Sequence, residues 1–102
     1  MTRRLIVRAE AEAEIGDAAL WYEHSEQGLG WAITSEVRSA INRIAENPFA
    51  YVRLRKRPDV RRALVHRFPY NVFCIVEEMP SLSLQYCIRL DTIASGEGVS
   101  RK

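Results

Sequence analysis

Hydrophobic and polar residues recur along this chain with two different periods, and the change between them falls near Pro48. Arg4 to Arg8, R-L-I-V-R, is a short apolar run with charged ends, which predicts an opening strand. From Ala9 to Ser25 the apolar residues Ala11, Ile15, Ala18, Ala19 and Tyr22 recur at steps of three and four, while Glu10, Glu14 and Asp17 form a separate acidic row. This is the pattern of an amphipathic helix with acids near its N-terminus, where the helix dipole favours them. Glu26-Gln27-Gly28-Leu29-Gly30 breaks it, since glycine commonly stands just past a helix end. A second helix is predicted from about Leu29, with Ile33, Val37, Ala40, Ile41 and Ile44 as its stripe. Asn47-Pro48 stops it, because proline lacks a backbone donor and disfavours helix in the residue before it. The two helices are expected to form an antiparallel hairpin.

After Pro48 the period becomes two. Val52 and Leu54 alternate with Arg53 and Arg55 over Tyr51 to Arg55, predicting a short strand with one basic face. Lys56-Arg57-Pro58-Asp59 has turn chemistry. Val60 to Val76, V-R-R-A-L-V-H-R-F-P-Y-N-V-F-C-I-V, holds two β-favouring runs on either side of Phe68-Pro69, and proline cannot donate to a ladder, so the stretch predicts a basic hairpin. A turn at Glu78-Met79-Pro80-Ser81 leads into a last strand where Leu82, Leu84, Tyr86, Ile88 and Leu90 alternate with Ser83, Gln85, Cys87 and Arg89. A register with Arg67 opposite Tyr70 and Val76 opposite Leu84 puts Ala63, Val65, Val72, Cys74, Val76, Leu84, Tyr86 and Ile88 on the face that takes the helices. The other face then carries Arg62, Leu64, His66, Asn71, Phe73, Ile75, Gln85, Cys87 and Arg89. Cys74 and Cys87 fall on opposite faces in that register, which argues against an internal disulfide. The fold class expected is α+β: an N-terminal strand, then an antiparallel helical hairpin packed on one face of a small, mainly antiparallel sheet.

Composition adds bounds. The 102 residues suit one domain, read as 1–94, with the polar, glycine-bearing stretch 95–102 as a flexible tail. Apolar residues at 47% and charged residues at 27% are ordinary for a globular protein. No apolar run approaches the roughly 20 residues that cross a bilayer, and Met1-Thr2-Arg3-Arg4 leads into too short an apolar run for a signal peptide, so the expected location is cytoplasmic, with no membrane partner. Cys74 and Cys87 form no Cys-x-x-Cys or His/Cys spacing, so no metal or other cofactor is expected, and both read as buried thiols.

Charge is segregated. Ala9 to Val37 holds seven acids and no Lys or Arg, whereas Arg38 to Arg67 holds nine basic residues against Glu46 and Asp59. Eight of those nine are arginines, whose planar fork suits phosphate or carboxylate. Arg53, Arg55, Arg57, Arg61, Arg62, Arg67 and, further on, Arg89 are therefore candidates for binding an anionic partner, protein or nucleic acid. His66, placed by the register beside Arg62 and Arg89, completes a trio that would serve metal-independent RNA cleavage, which needs proton acceptor, proton donor and cations on the phosphate. A histidine on a basic strand that merely faces solvent or a protein partner is the competing reading. His24, at the end of the first helix, has no visible partner. No Ser/His/Asp set, phosphate-binding glycine loop or zinc spacing occurs.

Four motifs, taken in order, carry a resemblance: W-Y-E at Trp21 to Glu23, G-L-G at Gly28 to Gly30, I-x-x-N-P at Ile44 to Pro48, and V-R-R-A-L-V-x-R-F-P-Y at Val60 to Tyr70. With the element order they resemble the RelE/ParE superfamily of bacterial type II toxins, from Arg4 to about Leu90. The resemblance implies a toxin of a toxin–antitoxin, plasmid-stabilisation type module, held inactive by a cognate antitoxin whose acidic amphipathic segment would fit the arginine-rich region. It implies one of two activities: RelE-like members cleave mRNA in the ribosome without metal, and ParE-like members poison DNA gyrase. RelE-like nucleases carry arginine directly after the Gly/Pro-Tyr that opens the fourth strand, where this chain has Asn71. They also carry a basic residue or histidine just after the last strand, followed by an aromatic. Here Asp91-Thr92 follows, with no aromatic beyond. Arg62 is retained with His66 near it. The balance favours a ParE-like growth inhibitor without nuclease chemistry. A RelE-like endoribonuclease using Arg62, His66 and Arg89 is the alternative, a non-toxic nucleic-acid-binding module another, and the unusual tail leaves room for an attenuated toxin.

Overall fold

The computed structural model describes residues 4–93. Strand β1 (Arg4–Val7) leads into helices α1 (Ala9–Ser25) and α2 (Leu29–Glu46). A single 3-10 turn at Pro48–Ala50 follows, then β2 (Val52–Arg53), β3 (Val60–Leu64), β4 (Tyr70–Met79) and β5 (Leu82–Thr92). The strands make one sheet in the order β1-β5-β4-β3-β2, antiparallel except where β1 lies parallel to β5. This is the α+β arrangement the periodicity predicts. The polar tail expected from Ser95 lies outside the described residues.

Both helices bury the stripes their spacing marks out. On α2, Ile33, Val37, Ala40, Ile41 and Ile44 are essentially inaccessible, and on α1 Ala11, Ile15 and Ala18 join them, with Ala19 and Tyr22 packed at the margin. Each large aliphatic side chain among these contributes about 1.5–3 kcal/mol relative to an exposed one, so the hairpin is held mainly by this contact with the sheet. From the sheet Ala63, Val65, Val72 and Cys74 meet the helices as expected, all buried. Tyr22 sets its ring edge-on against Phe68 and Tyr70, 5.0 and 6.3 Å between centroids, closing the core at the hairpin turn.

The register of β5 differs from the expectation. Val76 opposes Gln85, not Leu84, so Gln85 and Cys87 are the residues driven under α2, fully buried, while Leu84, Tyr86 and Ile88 turn to the open face. A register shift opposite Phe73 and Cys74 then returns Leu90 to the helix side, where it is buried opposite Val72. The strict apolar alternation of Leu82 to Leu90 thus crosses a bulge, and an extra residue inverts the facing of everything beyond it. Consequently Cys74 and Cys87 are direct cross-strand partners on one face, contrary to the placement on opposite faces. The β3–β4 pairing is also displaced, by two residues: Val65, not Arg67, stands opposite Tyr70, its amide donating to the Tyr70 carbonyl at 2.9 Å. An even displacement preserves the faces, which is why the β3 and β4 core residues are as expected. Finally, β2 is a two-residue edge strand and not the longer one predicted over Tyr51 to Arg55.

Candidate functional site

The helical hairpin covers one face of the sheet, so a partner of the sheet must meet the other. On that open face β3 presents Arg62 opposite Phe73 of β4, and Phe73 lies next to Arg89 of β5. Backbone after β2 folds over this end, and Leu54, Val60, Phe73 and Ile88 floor a hollow of about 290 Å³ whose rim carries Arg57 and Arg89. An adjoining hollow of about 340 Å³ extends along the strands toward β1, with Ile75 and Ile88 beneath Arg8, Arg57 and Arg89. Beyond it Arg8 lies 5.5 Å over the ring of Tyr86. The open face is therefore an apolar floor fringed mainly by guanidinium groups, with Asp91 and Glu10 among them.

Several of those groups already have partners. Arg89 donates through Nε to Glu14 of α1 at 2.6 Å and lies 3.7 Å from Asp91. The same Glu14 accepts the Leu90 backbone N–H at 2.8 Å, so it ties α1 to β5 as well as neutralising Arg89. Arg57 grips Asp59 with two bonds of 3.2 and 3.3 Å. Hydrogen bonding to Asp59, then its charge, pushes the Arg57 guanidinium further up. That bond in turn holds the Asp59 carboxyl below the ordinary range. Arg62 and Arg8, together with Arg4 of β1, which stands opposite Leu84 in the same row, form no ion pair with any described residue and are uncompensated cations of this face.

The remaining sequence-derived candidates lie elsewhere. Arg61 points to the helix side, where Nη1 donates to the Tyr51 carbonyl at 2.9 Å and its charge sits 5.0 Å over the Phe49 ring. Arg53 is its cross-strand partner, so two like charges share the edge of the sheet. Arg55 is exposed in the segment after β2. Arg67 adopts a left-handed backbone with φ 74° in the β3–β4 turn and lies 5.4 Å over Phe68. His66 precedes it in that turn, exposed and beyond the end of β3, not on the strand face with Arg62 and Arg89 as the register had it. The nine-cation segment thus does not form one surface. Asn71 does lie on the open side but is only 5% exposed.

Sequence reasoning missed Arg8 and the apolar floor of Tyr86 and Ile88, because the expected β5 register turned that row toward the helices. The only signal for the true facing was Arg89, which cannot share a buried face and yet follows Gln85 and Cys87 in strict alternation, so a bulge had to separate them. Among the described residues no group of three or more His, Cys, Asp or Glu side chains is arranged to hold a metal ion.

Two of the motifs are accounted for by local geometry. Glu23 of W-Y-E reaches past the end of α1 and accepts the backbone N–H groups of Gly28, at 3.0 and 3.1 Å, and Gly30, at 2.9 Å. These bonds, Gly28 first, hold its carboxyl below the ordinary value of 4.5. Gly28 itself needs φ 93°, the left-handed region open to glycine. Gly30 lies so close to α1 that a Cβ there would fall 2.7 Å from the Ala19 carbonyl oxygen. The two motifs are a clasp for the helical hairpin.

No protein-family model matches the chain. No curated protein matches it either. Among solved structures it is similar to a chain described as the chromosomal ParDE TA system from P. aeruginosa, with a TM-score of 0.74 and 14% identity, covering 90% of this chain and 97% of that one. At that identity the likeness is one of architecture: this chain has the α+β fold of the RelE/ParE type that its motifs and element order led one to expect.

Proposed function

We propose that this chain is the toxin of a bacterial type II toxin–antitoxin module, a ParE-like growth inhibitor that acts in the cytoplasm by binding a protein target, DNA gyrase, and is neutralised by a cognate antitoxin. The observation that carries the reading is the near end-to-end match in fold to a chain of a ParDE toxin–antitoxin system, 90% and 97% of the two lengths. Residues 1–94 would form the toxin domain and 95–102 a tail. The binding surface would be the open face, where an apolar floor gives contact area and Arg8 and Arg62 give charge complementarity to an acidic partner. Arg57 and Arg89, braced by Asp59 and by Glu14, would hold the rim in shape. Arg53, Arg55, Arg61 and Arg67 lie on the sheet edge and hairpin turn, within reach of an antitoxin segment that wraps more than one side.

Binding is preferred over RNA cleavage because the trio that cleavage would use is not presented together. His66 sits in the turn after β3, Arg89 is occupied by Glu14, and Asn71 stands nearly buried where a nuclease of this resemblance carries arginine. Inducible expression in bacteria, with and without the neighbouring antitoxin gene, tests the proposal. Expected are growth arrest relieved by the antitoxin, intact mRNA, induced DNA-damage signalling and loss of supercoiling by purified gyrase. Growth unaffected in both conditions would overturn the toxin reading. Ribosome-dependent mRNA cleavage abolished by Arg62→Ala or His66→Ala would replace gyrase binding with the nuclease alternative, and steeply salt-dependent nucleic-acid binding without toxicity would point to a binding module.

A further inference from the structure

The inverted facing of β5 brings together two residues that a regular alternation would have kept apart. Cys74 and Cys87 are direct Cα partners across the antiparallel β4–β5 ladder, both free thiols, both inaccessible to solvent. Their sulfur atoms share a hydrogen bond at 2.8 Å, and the Gln85 amide Nε2 lies 3.6 Å from Cys74 Sγ and 3.5 Å from Cys87 Sγ. Directly opposed residues in an antiparallel pair have Cα atoms about 4.5 or 5.5 Å apart, and both spacings fall within the roughly 4.4–6.8 Å that a disulfide spans. We propose that Cys74 and Cys87 are a redox-active dithiol, a modification site whose oxidised state is a cross-strand disulfide between β4 and β5, formed by a small two-electron oxidant of the peroxide class.

The surroundings assign the two sulfurs different parts. The hydrogen bond from Cys74 pulls the Cys87 thiol down against the opposing effect of burial, with help from the Gln85 amide and the charge of Arg38. Cys74, whose proton is held in that same bond and in a buried site, is pushed far up. Either sulfur can donate in their shared bond, and with Cys74 donating it is Cys87 that ionises and attacks. Its thiolate takes one oxygen of hydrogen peroxide; the O–O bond breaks, hydroxide leaves, and protonation makes it water. The Cys74 sulfur then attacks Cys87 Sγ. The S–S bond forms, the S–O bond breaks, and the departing hydroxide takes the Cys74 proton as a second water. Two thiols and one peroxide become one disulfide and two waters, the dithiol losing two electrons. Burial makes the reaction wait on local opening, and the break in the ladder beside Cys74 and Cys87 is the place for it.

A resolving thiol already in contact makes a prediction that an ordinary buried cysteine does not. Full-length protein exposed to hydrogen peroxide should lose about 2 Da in intact mass, lose both thiols titratable in denaturant, and yield one disulfide-linked peptide spanning β4 and β5. Its thermal midpoint should rise by roughly 10 °C, since a ring of this size restricts the unfolded chain, and dithiothreitol should reverse all four changes. In Cys74→Ala and in Cys87→Ala no intramolecular disulfide can form, and the loss of about 2 Da should be absent from both. Wild-type protein that retains both thiols, gains oxygen, or links only between molecules would overturn the proposal, and these readings stand on the wild-type chain whether or not the variants fold.

Discussion

Adding one methyl group to a helical glycine should have opposite consequences at two sites in this hairpin. In Gly16→Ala the new Cβ meets nothing within 4 Å, on an exposed turn of α1. The substitution should gain the helix propensity that glycine forgoes, about 0.5–1 kcal/mol, and raise the thermal midpoint by roughly 4 °C. Gly30→Ala begins from the same gain, but its Cβ would stand 2.7 Å from the Ala19 backbone oxygen, 2.9 Å from Glu23 Oε1 and 3.2 Å from Glu23 Cβ. The nearest atom belongs to a helix backbone, so relief requires α1 and α2 to separate. Overpacking of that kind costs about 1–3 kcal/mol, and the shift also pulls the Gly30 N–H off the Glu23 carboxylate. The net expectation is a loss of about 1–2 kcal/mol and a midpoint lower by roughly 5–10 °C. Urea unfolding followed by circular dichroism gives both values on the same footing. Gly30→Ala equal to or more stable than wild type would show that the helices are not held at this distance and would refute the clasp.

Glu23 also fixes a pH response. Its folded-state carboxyl titrates below the ordinary 4.5, so its stabilisation is complete above that value and is lost as the pH falls through the depressed one; Glu23→Gln should flatten that part of the unfolding profile measured by thermal melts across the acid range. Gln85 is fully buried, donates to the Ile41 carbonyl at 3.1 Å, and leaves Oε1 without a partner. Replacing it with Met removes a desolvated oxygen along with that bond and two weak ones to the cysteine sulfurs and should change stability by less than about 1 kcal/mol, whereas Gln85→Glu buries a charge and should cost about 3 kcal/mol or more by denaturant titration. Glu14→Ala should cost about 1–2 kcal/mol for the lost acceptor of Leu90 N–H and Arg89, while freeing Arg89 to bind polyanions more tightly at low salt, read by fluorescence anisotropy with a labelled oligonucleotide.

Both helices, their ends and the succession of elements along the chain were legible in the sequence, because burial on one side of a helix leaves a stripe and Asn47-Pro48 can only stop it. The register of the sheet was half legible. For β3 and β4 the two-residue displacement does no harm, and Ala63, Val65, Val72 and Cys74 are core residues either way. For β5 the alternation pointed to the wrong side, since a hydrophobic row argues for burial only if the opposite row is too polar to be buried. Ser83, Gln85 and Cys87 are small or neutral enough to go under α2, Gln85 by donating to a helix carbonyl. The bulge leaves a single mark on this strand, Arg89 standing in the row of Gln85 and Cys87. With it were lost the floor of the open face, the meeting of the two cysteines and the part of Arg8. His66 was misplaced for a simpler reason: β3 ends at Leu64, before the histidine that would have extended its basic face.

The charge on the open face bears on the kind of partner it fits. A protein that lives on phosphate contacts neutralises some six to ten of them and shows the correspondingly steep dependence on salt. Here Arg57 and Arg89 are each engaged by a carboxylate of the same chain, and a polyanion would have to displace Asp59 or Glu14 to use them. Arg4, Arg8 and Arg62 remain, which corresponds to a salt slope of only about −3 for this face. Between them lie Phe73, Ile75, Ile88 and Tyr86, half-buried or nearly buried, with Asp91 and Glu10 at the margins of the two hollows. An apolar centre with a thin arginine fringe is the composition of a protein–protein contact, in which aromatic residues and arginine are enriched and excess charge is kept from the middle. The basic segment read from the sequence invites a nucleic-acid partner by its count of arginines. Their placement, divided among the sheet edge, the hairpin turn and internal ion pairs, weighs instead toward a protein one.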